Sequence, residues 1–269
     1  MEKMKSSMWH YTPANSPQPL PKSSFLINKT ELIPMELPSV EDNEATIEKV
    51  KQICGQSIVD GQTLSQYLAM ISTPDISHRK PILLLGELAN PFQLSRMNIG
   101  VLPVVTVRIE DLCRTYTDSL DARMIQPGIH HITLARSQGW WELTHMALAT
   151  IDQIKKMIDW LSNGRKGDWK PVKPSEGDIM LECDSNLQSP SPTSMQWDGK
   201  VETCTDNPPT PTGPKFSISE VIVPVHTRLG CYDNRGKMIR CNHVSQRDFH
   251  TNYFRRGSSM KWQDILQIK

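Results

Sequence analysis

The sequence has no apolar run approaching the roughly 18 residues that a membrane-crossing helix needs. Its opening, MEKMKSSMWHYTPANSPQPLP, lacks the apolar core of a secretory signal. The expectation is a soluble protein, cytoplasmic or nuclear and not secreted. The six cysteines (Cys54, Cys113, Cys183, Cys204, Cys231 and Cys241) follow no regular framework, which argues against a disulfide scaffold and fits a reducing compartment. The Asn28-Lys29-Thr30 sequon is then without secretory context. The spacings GxxxxGK[ST], GxGxxG, HExxH, GxSxG and DxDxDG are all missing, so no phosphate loop, dinucleotide turn, zinc-protease helix, nucleophile elbow or calcium loop is legible. No internal repeat points to a solenoid. Hydrophobic residues are 38%, a low share, and prolines number 20, which predicts a folded core with substantial unfolded flanks.

What is present divides the chain into four stretches. Residues 1–42 are rich in Pro, Ser and Lys, show no helical or strand period, and predict a disordered N-terminal arm. The clusters Phe25-Leu26-Ile27 and Leu32-Ile33 read there as incidental or as short docking segments. Residues 43–168 predict an α+β domain. Ile47, Val50, Ile53 and Cys54 fall on one helical face, and Leu64, Tyr67, Leu68 and Ile71 on another. Pro81-Ile82-Leu83-Leu84-Leu85-Gly86 reads as a strand buried on both sides, and VVTVRIEDL at 104–112 as a half-buried one. Residues 118–125 are weakly helical, and Gln126-Pro127-Gly128 is a turn into a strand at 129–135. A long helix is then expected from Trp140. Leu143, Ala147, Ile151, Ile154, Ile158 and Leu161 form its stripe, and Asn163-Gly164 stops it.

Residues 169–214 read as an acidic Pro/Ser-rich linker, extended and partly polyproline II. Between 173 and 206 seven acids face two bases, a net of −5. SPSPTS and NPPTPT carry Ser-Pro and Thr-Pro steps that a proline-directed kinase could use. Residues 215–269 reverse the sign, with ten bases against four acids, a net of +6. They predict a small basic β-rich module: a strand at 216–225, a hairpin around Asp233-Asn234-Arg235-Gly236, then aromatics among bases. Arg228, Arg235, Lys237, Arg240, Arg247, Tyr253, Phe254, Arg255, Arg256, Lys261 and Trp262 are the expected binding residues. Guanidinium and ammonium groups beside rings suit phosphate contact with base stacking, or an anionic membrane surface.

Two further constellations stand out. PGIHHITLAR places His131 and Thr133 two residues apart, on one face of a strand. This resembles the His-x-Thr-hydrophobic motif of the 2H phosphoesterases. The resemblance covers about nine residues. It implies acid/base work on RNA ends or cyclic phosphates through His131, with Thr133 as hydroxyl donor. That family needs a second, facing motif. Here His78 is followed at the second position by Lys80, and His226 carries its Thr at the wrong offset. The other constellation is His226, Cys231, Cys241 and His243, with His250 beyond. These residue types suit tetrahedral zinc, although none of the tight Cys-x2-Cys or His-x3-His intervals is present.

The combined expectation is a non-enzymatic structural or binding protein. It would have a disordered arm, an α+β domain, a linker and a basic β-rich module, with no cofactor apart from the zinc alternative. Its partners would be nucleic acid, nucleoprotein or an anionic membrane, together with protein partners or self-association, and no small-molecule substrate. In overall character the chain is similar to virus-encoded matrix or accessory proteins. The alternative is a phosphoesterase working through His131 and Thr133.

Overall fold

A computed structural model describes residues 4–5, 20–40, 42–121, 129–228, 231–233, 235–254 and 265–268. The fold is mixed but sheet-rich, 37% strand against 25% helix. Its frame is a pair of very long antiparallel strands, so the elements follow in chain order from that pair's neighbours.

Strand β1 is Met4–Lys5, β2 Phe25–Asn28 and β3 Glu31–Glu36. Helix α1 covers Ile47–Gly55, followed by β4 (Ile58–Val59), β5 (Gln62–Thr63), α2 (Leu64–Met70) and β6 (Lys80–Leu84). Helix α3 is Pro91–Arg96. The long pair is β7, Leu102–Leu120, and β8, His130–Ala149. Helix α4 is Ile151–Ser162. Short strands follow: β9 (Trp169–Val172), β10 (Asp178–Leu181), β11 (Met195–Trp197), β12 (Glu202–Cys204), β13 (Lys215–Phe216) and β14 (Val223–His226). Helix α5 (Gln246–Asp248) runs into a π-helical turn, Phe249–Tyr253.

β7 lies against β8 along its length, from Val104 opposite Ala147 to Leu120 opposite His130. The ladder is interrupted twice, between Tyr116 and Leu120 and again between Glu110 and Leu112. There Asp111 and Gly139 both take positive φ, and the Asp111 carboxylate accepts the Gly139 N–H at 2.7 Å. The other edge of β7 is shared by two strands. β2 pairs with Leu102–Val104 and β10 with Val107–Glu110. β6 extends the sheet beyond β8, and β3, β4 and β5 extend it beyond β2.

Both faces of this sheet are covered. Leu26, Ile33, Val105 and Val107 pack with Ile47, Val50, Ile53 and Cys54 of α1 and with Leu64, Tyr67 and Leu68 of α2. Phe25, Ile27, Leu32, Leu102 and Val104 pack on the opposite side with Leu94 of α3 and Ile154, Met157 and Leu161 of α4. Each such side chain contributes about 1.5–3 kcal/mol when fully buried.

Several expectations give way to this arrangement. Within the expected disordered arm, Phe25–Asn28 and Glu31–Glu36 are strands of the sheet. Phe25-Leu26-Ile27 and Leu32-Ile33 look aperiodic because alternate residues feed two cores. β7 is likewise buried on both sides, Thr106 and Arg108 included. The helix does not begin at Trp140. Residues up to Ala149 are strand, and α4 starts at Ile151, which is 49% exposed. A spacing of four fits both a helix face and a strand face, so Leu143 and Ala147 were compatible with either. The weak helix at 118–125 is strand up to Leu120, and the turn at 126–128 lies outside the described residues.

The proline-rich stretch is tied into the fold. β10 sits between β7 and β13, and β9 pairs with β14, with Pro171 opposite Pro224. The expected strand at 216–225 is divided between β13 and β14 by a 3-10 turn at Ile218–Glu220. The tight turn near Asp233 forms, with Tyr232 opposite Met238. Among the described residues no helix is long and apolar enough to cross a membrane.

The start of α4 is directly testable. Thr150 Oγ1 accepts the Gln153 N–H, and the Gln153 side chain returns to the Thr150 N–H at 2.9 Å, a capping box. Thr150→Ala should lower the denaturation midpoint by an amount equal to about 1 kcal/mol, with unchanged m-value. A helix running through from Trp140 would make Thr150 an interior position, where alanine stabilises, so the sign of the change decides between the two.

Candidate functional site

The C-terminal bases separate into two groups. Arg228 follows β14, Arg235 lies in the tight turn and Arg247 lies in α5; all three are exposed, and Lys237 is half-buried. None of these four forms an ion pair among the described residues. Lys215 pairs with Asp178 at 2.8 Å. Arg240 is a correction to the expected surface, being 2% exposed. Its Nη1 donates to Glu202 at 2.7 Å, its Nε to Ser137 at 3.0 Å, and its guanidinium stands 5.0 Å over the Trp140 ring. It holds the fold. Tyr253 packs partly against the core, and Phe254 stacks on His250 at 5.5 Å and leans on His130 at 4.7 Å. Arg255, Arg256, Lys261 and Trp262 lie outside the described residues.

His131 does not stand alone. Its ring stacks on that of His226 at 5.4 Å, with an interplanar angle of 19°, and Trp169 meets both rings edge-on at 5.2 and 5.0 Å. The pairing of β14 with β9 brings His226 there, opposite Trp169. His226 Nδ1 accepts the Arg228 backbone N–H at 2.9 Å, so a neutral ring carries its proton on Nε2. Burial pushes this imidazole down to about 4, against the opposing pull of Asp168. Thr133 is fully buried and its hydroxyl makes no hydrogen bond. The adjoining cavity, lined by His131, His226, Asp121 and Asp168, is about 10 Å³. That is room for about one water and not for a phosphate.

The second PGIHHITLAR histidine is more tightly held. His130 Nδ1 donates to the Thr117 carbonyl at 2.8 Å. A carbonyl only accepts, so Nε2 is the bare nitrogen and takes the His250 Nδ1–H at 3.0 Å. Burial lowers the His130 pKa to about 4, with His250 adding to this and Thr117 opposing.

The suggested zinc ligands are engaged elsewhere. His226 belongs to the stack above. Cys231 is buried, its thiol pushed up by burial to about 12. Cys241 is likewise held protonated by burial, beside Arg114. His243 donates from Nε2 to the Pro190 carbonyl at 2.8 Å and meets Trp140 edge-on at 4.9 Å. Among the described residues no three His, Cys, Asp or Glu side chains are grouped to hold a metal.

Sequence reasoning missed a buried ion pair. Arg114 on β7 and Glu142 on β8 are 2% and 0% exposed, with Nε 3.0 Å from Oε1. The Arg114 backbone N–H also donates to that oxygen, at 2.7 Å. Burial works against the Arg114 charge, and Glu142 with its neighbours outweighs it, so its pKa is raised. Asn242 completes the group, donating from Nδ2 to Glu142 Oε2 at 2.9 Å and accepting from Arg114 Nη2 at 3.2 Å. A cavity of about 470 Å³ adjoins Arg114, His145 and Asn242, and residues 185–192 form its other wall. That strap is fixed by Trp141 Nε1 to the Gln188 carbonyl at 2.8 Å, by Asn242 Nδ2 to Ser189 Oγ at 2.6 Å, and by His243. The available signal was a charge of opposite sign inside each of two adjacent stretches, Arg114 in one and Glu142 in the other.

No known protein family, no curated protein and no solved structure matches this chain.

The buried histidines set a pH dependence. His130 and His226 are lowered to about 4, and His145 to about 3, by burial first and by Arg114 second, against the Pro21 carbonyl. Each is neutral when folded and takes up a proton on unfolding below its ordinary value of about 6.5. Their stabilisation is therefore complete above pH 6.5 and is lost as pH falls towards 4. Denaturation midpoints should fall across that window. His226→Gln should reduce the slope by about one proton, or about 1.4 kcal/mol per pH unit. An unchanged slope would place His226 in water.

Proposed function

We propose that this chain is a non-enzymatic binding and structural protein, of the kind exemplified by virus-encoded matrix or accessory proteins, and that it holds nucleic acid or nucleoprotein through its basic C-terminal stretch. One observation carries the reading: how the charges are divided. The acidic stretch neutralises Lys215 through Asp178 and Arg240 through Glu202, while Arg228, Arg235 and Arg247 face solvent without an ion pair among the described residues. Exposed guanidinium groups without partners suit phosphate contacts that release counterions. The buried arginines are part of the fold and lie outside this surface.

Binding to a single-stranded RNA of generic sequence, followed by fluorescence anisotropy across a salt series, tests the proposal. Affinity should fall steeply with salt. The triple variant Arg228→Ala, Arg235→Ala, Arg247→Ala should bind more weakly, with a log–log slope shallower by about 2. An unchanged slope would move the interface elsewhere. The same loss on phosphatidylserine vesicles, with no RNA binding by the parent protein, would make the partner a membrane surface.

A second reading, a phosphoesterase, is favoured by the position of His226, which supplies His131 with the histidine neighbour that the sequence spacing lacked. Turnover would require residues 163–168 to move, since the present cavity excludes phosphate. A 2′,3′-cyclic nucleotide should then be hydrolysed by the parent protein and not by His131→Ala or His226→Ala. Equal rates in all three end this reading.

A further inference from the structure

Beneath the strap formed by residues 185–192, buried donors lack acceptors. Arg114 Nε and Nη2 are bonded to Glu142 and Asn242, but Nη1 is buried and has no hydrogen-bond partner. His145, 1% exposed, has the Pro21 carbonyl near its ring but no hydrogen bond of normal geometry from either ring nitrogen. Native proteins bond nearly all such groups, to themselves, to ordered water or to a bound species. Both side chains adjoin the same cavity of about 470 Å³, far larger than a water site. Glu142 does not supply the missing acceptor, because Oε1 is held by Arg114 and Oε2 by Asn242. Lys22 stands on the lining and adds a positive charge that Glu142 does not balance. The site is therefore rich in donors, net positive and roofed by serine hydroxyls.

We propose that this cavity binds a phosphate group. The donors converge from different elements: Arg114 from β7, His145 from β8, Asn242 from the turn after Arg240, and Lys22 from the segment before β2. A tetrahedral oxyanion presents acceptors in as many directions, whereas a planar carboxylate does not. The phosphate has two chemical sources. One is a phosphomonoester entering from solution. The other is the strap itself, since Ser189-Pro190 is a proline-directed step whose hydroxyl already touches Asn242. A kinase would transfer the γ-phosphoryl of ATP to Ser189 Oγ, with loss of the hydroxyl proton and release of ADP. The new dianion would then face Arg114 and Lys22. This site is independent of the C-terminal surface proposed above.

The test uses the full chain at constant ionic strength. Inorganic phosphate and O-phosphoserine should each give a saturable rise in melting temperature of a few degrees, absent with chloride. Lys22→Ala, at an exposed position, should weaken this at least threefold, and Asn242→Ala more. Arg235→Ala should leave it unchanged. Arg114→Lys keeps the charge but loses the fork, and should abolish the effect if it folds. Treatment with a proline-directed kinase separates the sources. Modification of Ser189 that blocks titration with inorganic phosphate assigns the site to the strap; failure to modify Ser189, with titration intact, assigns it to a soluble ligand. The proposal is overturned if phosphate gives no saturable effect, or if Lys22→Ala and Asn242→Ala respond as the parent does.

Discussion

The antiparallel ladder between β7 and β8 is the constraint on which the rest of the molecule depends. Its strands are far longer than the usual five or six residues, and they are covered on both faces for most of their length. A polar side chain buried on them therefore costs free energy unless it finds a partner. Arg114 finds Glu142 across the ladder, and Thr115 donates to the Ile239 carbonyl. Arg240 approaches from outside the ladder and closes over Trp140 and Ser137. The C-terminal stretch is needed by the hairpin as much as it is supported by it: Asn242, Gln246 and Tyr116 join the two through side-chain hydrogen bonds.

Helices with one apolar face were legible in the sequence. α1 and α2 present the residues their spacing indicated, because a half-buried helix leaves a period in the sequence. Strands covered on both faces leave none. Phe25-Leu26-Ile27 carries no alternation, and so resembled a stray cluster in a polar arm. At Trp140 the difficulty was the reverse, a real period compatible with two structures. Thr150, with Gln153 three residues on, was the sequence's own marker of the true helix start.

The site residues divide in the same way. Arg228, Arg235 and Arg247 are exposed as charge alone suggested. Arg240 is not, because nothing local marks a basic residue that will meet Glu202 from 38 positions away. The meeting of His131 with His226 and Trp169 was equally hidden, since it depends on β9 and β14 pairing across some 50 residues of proline-rich chain. The Arg114–Glu142 pair and its cavity required the strand register, which composition does not contain.

The opposed prolines of β9 and β14 have a consequence for assembly. Thr227 N–H bonds to the Asp168 carbonyl, so by alternation Pro171 and Pro224 occupy a position where backbone N–H groups would point away from the partner strand. Proline has no N–H, and each outer edge of the ribbon is therefore missing a donor. On one side this halts the ribbon where it meets the central sheet: Ile222 bonds to β6 and the ladder goes no further. On the other it blunts the ribbon against a strand from another molecule. Copies of this chain that meet at this ribbon would have to do so through side chains, in a geometry that charge and shape can select, and not by open-ended strand addition.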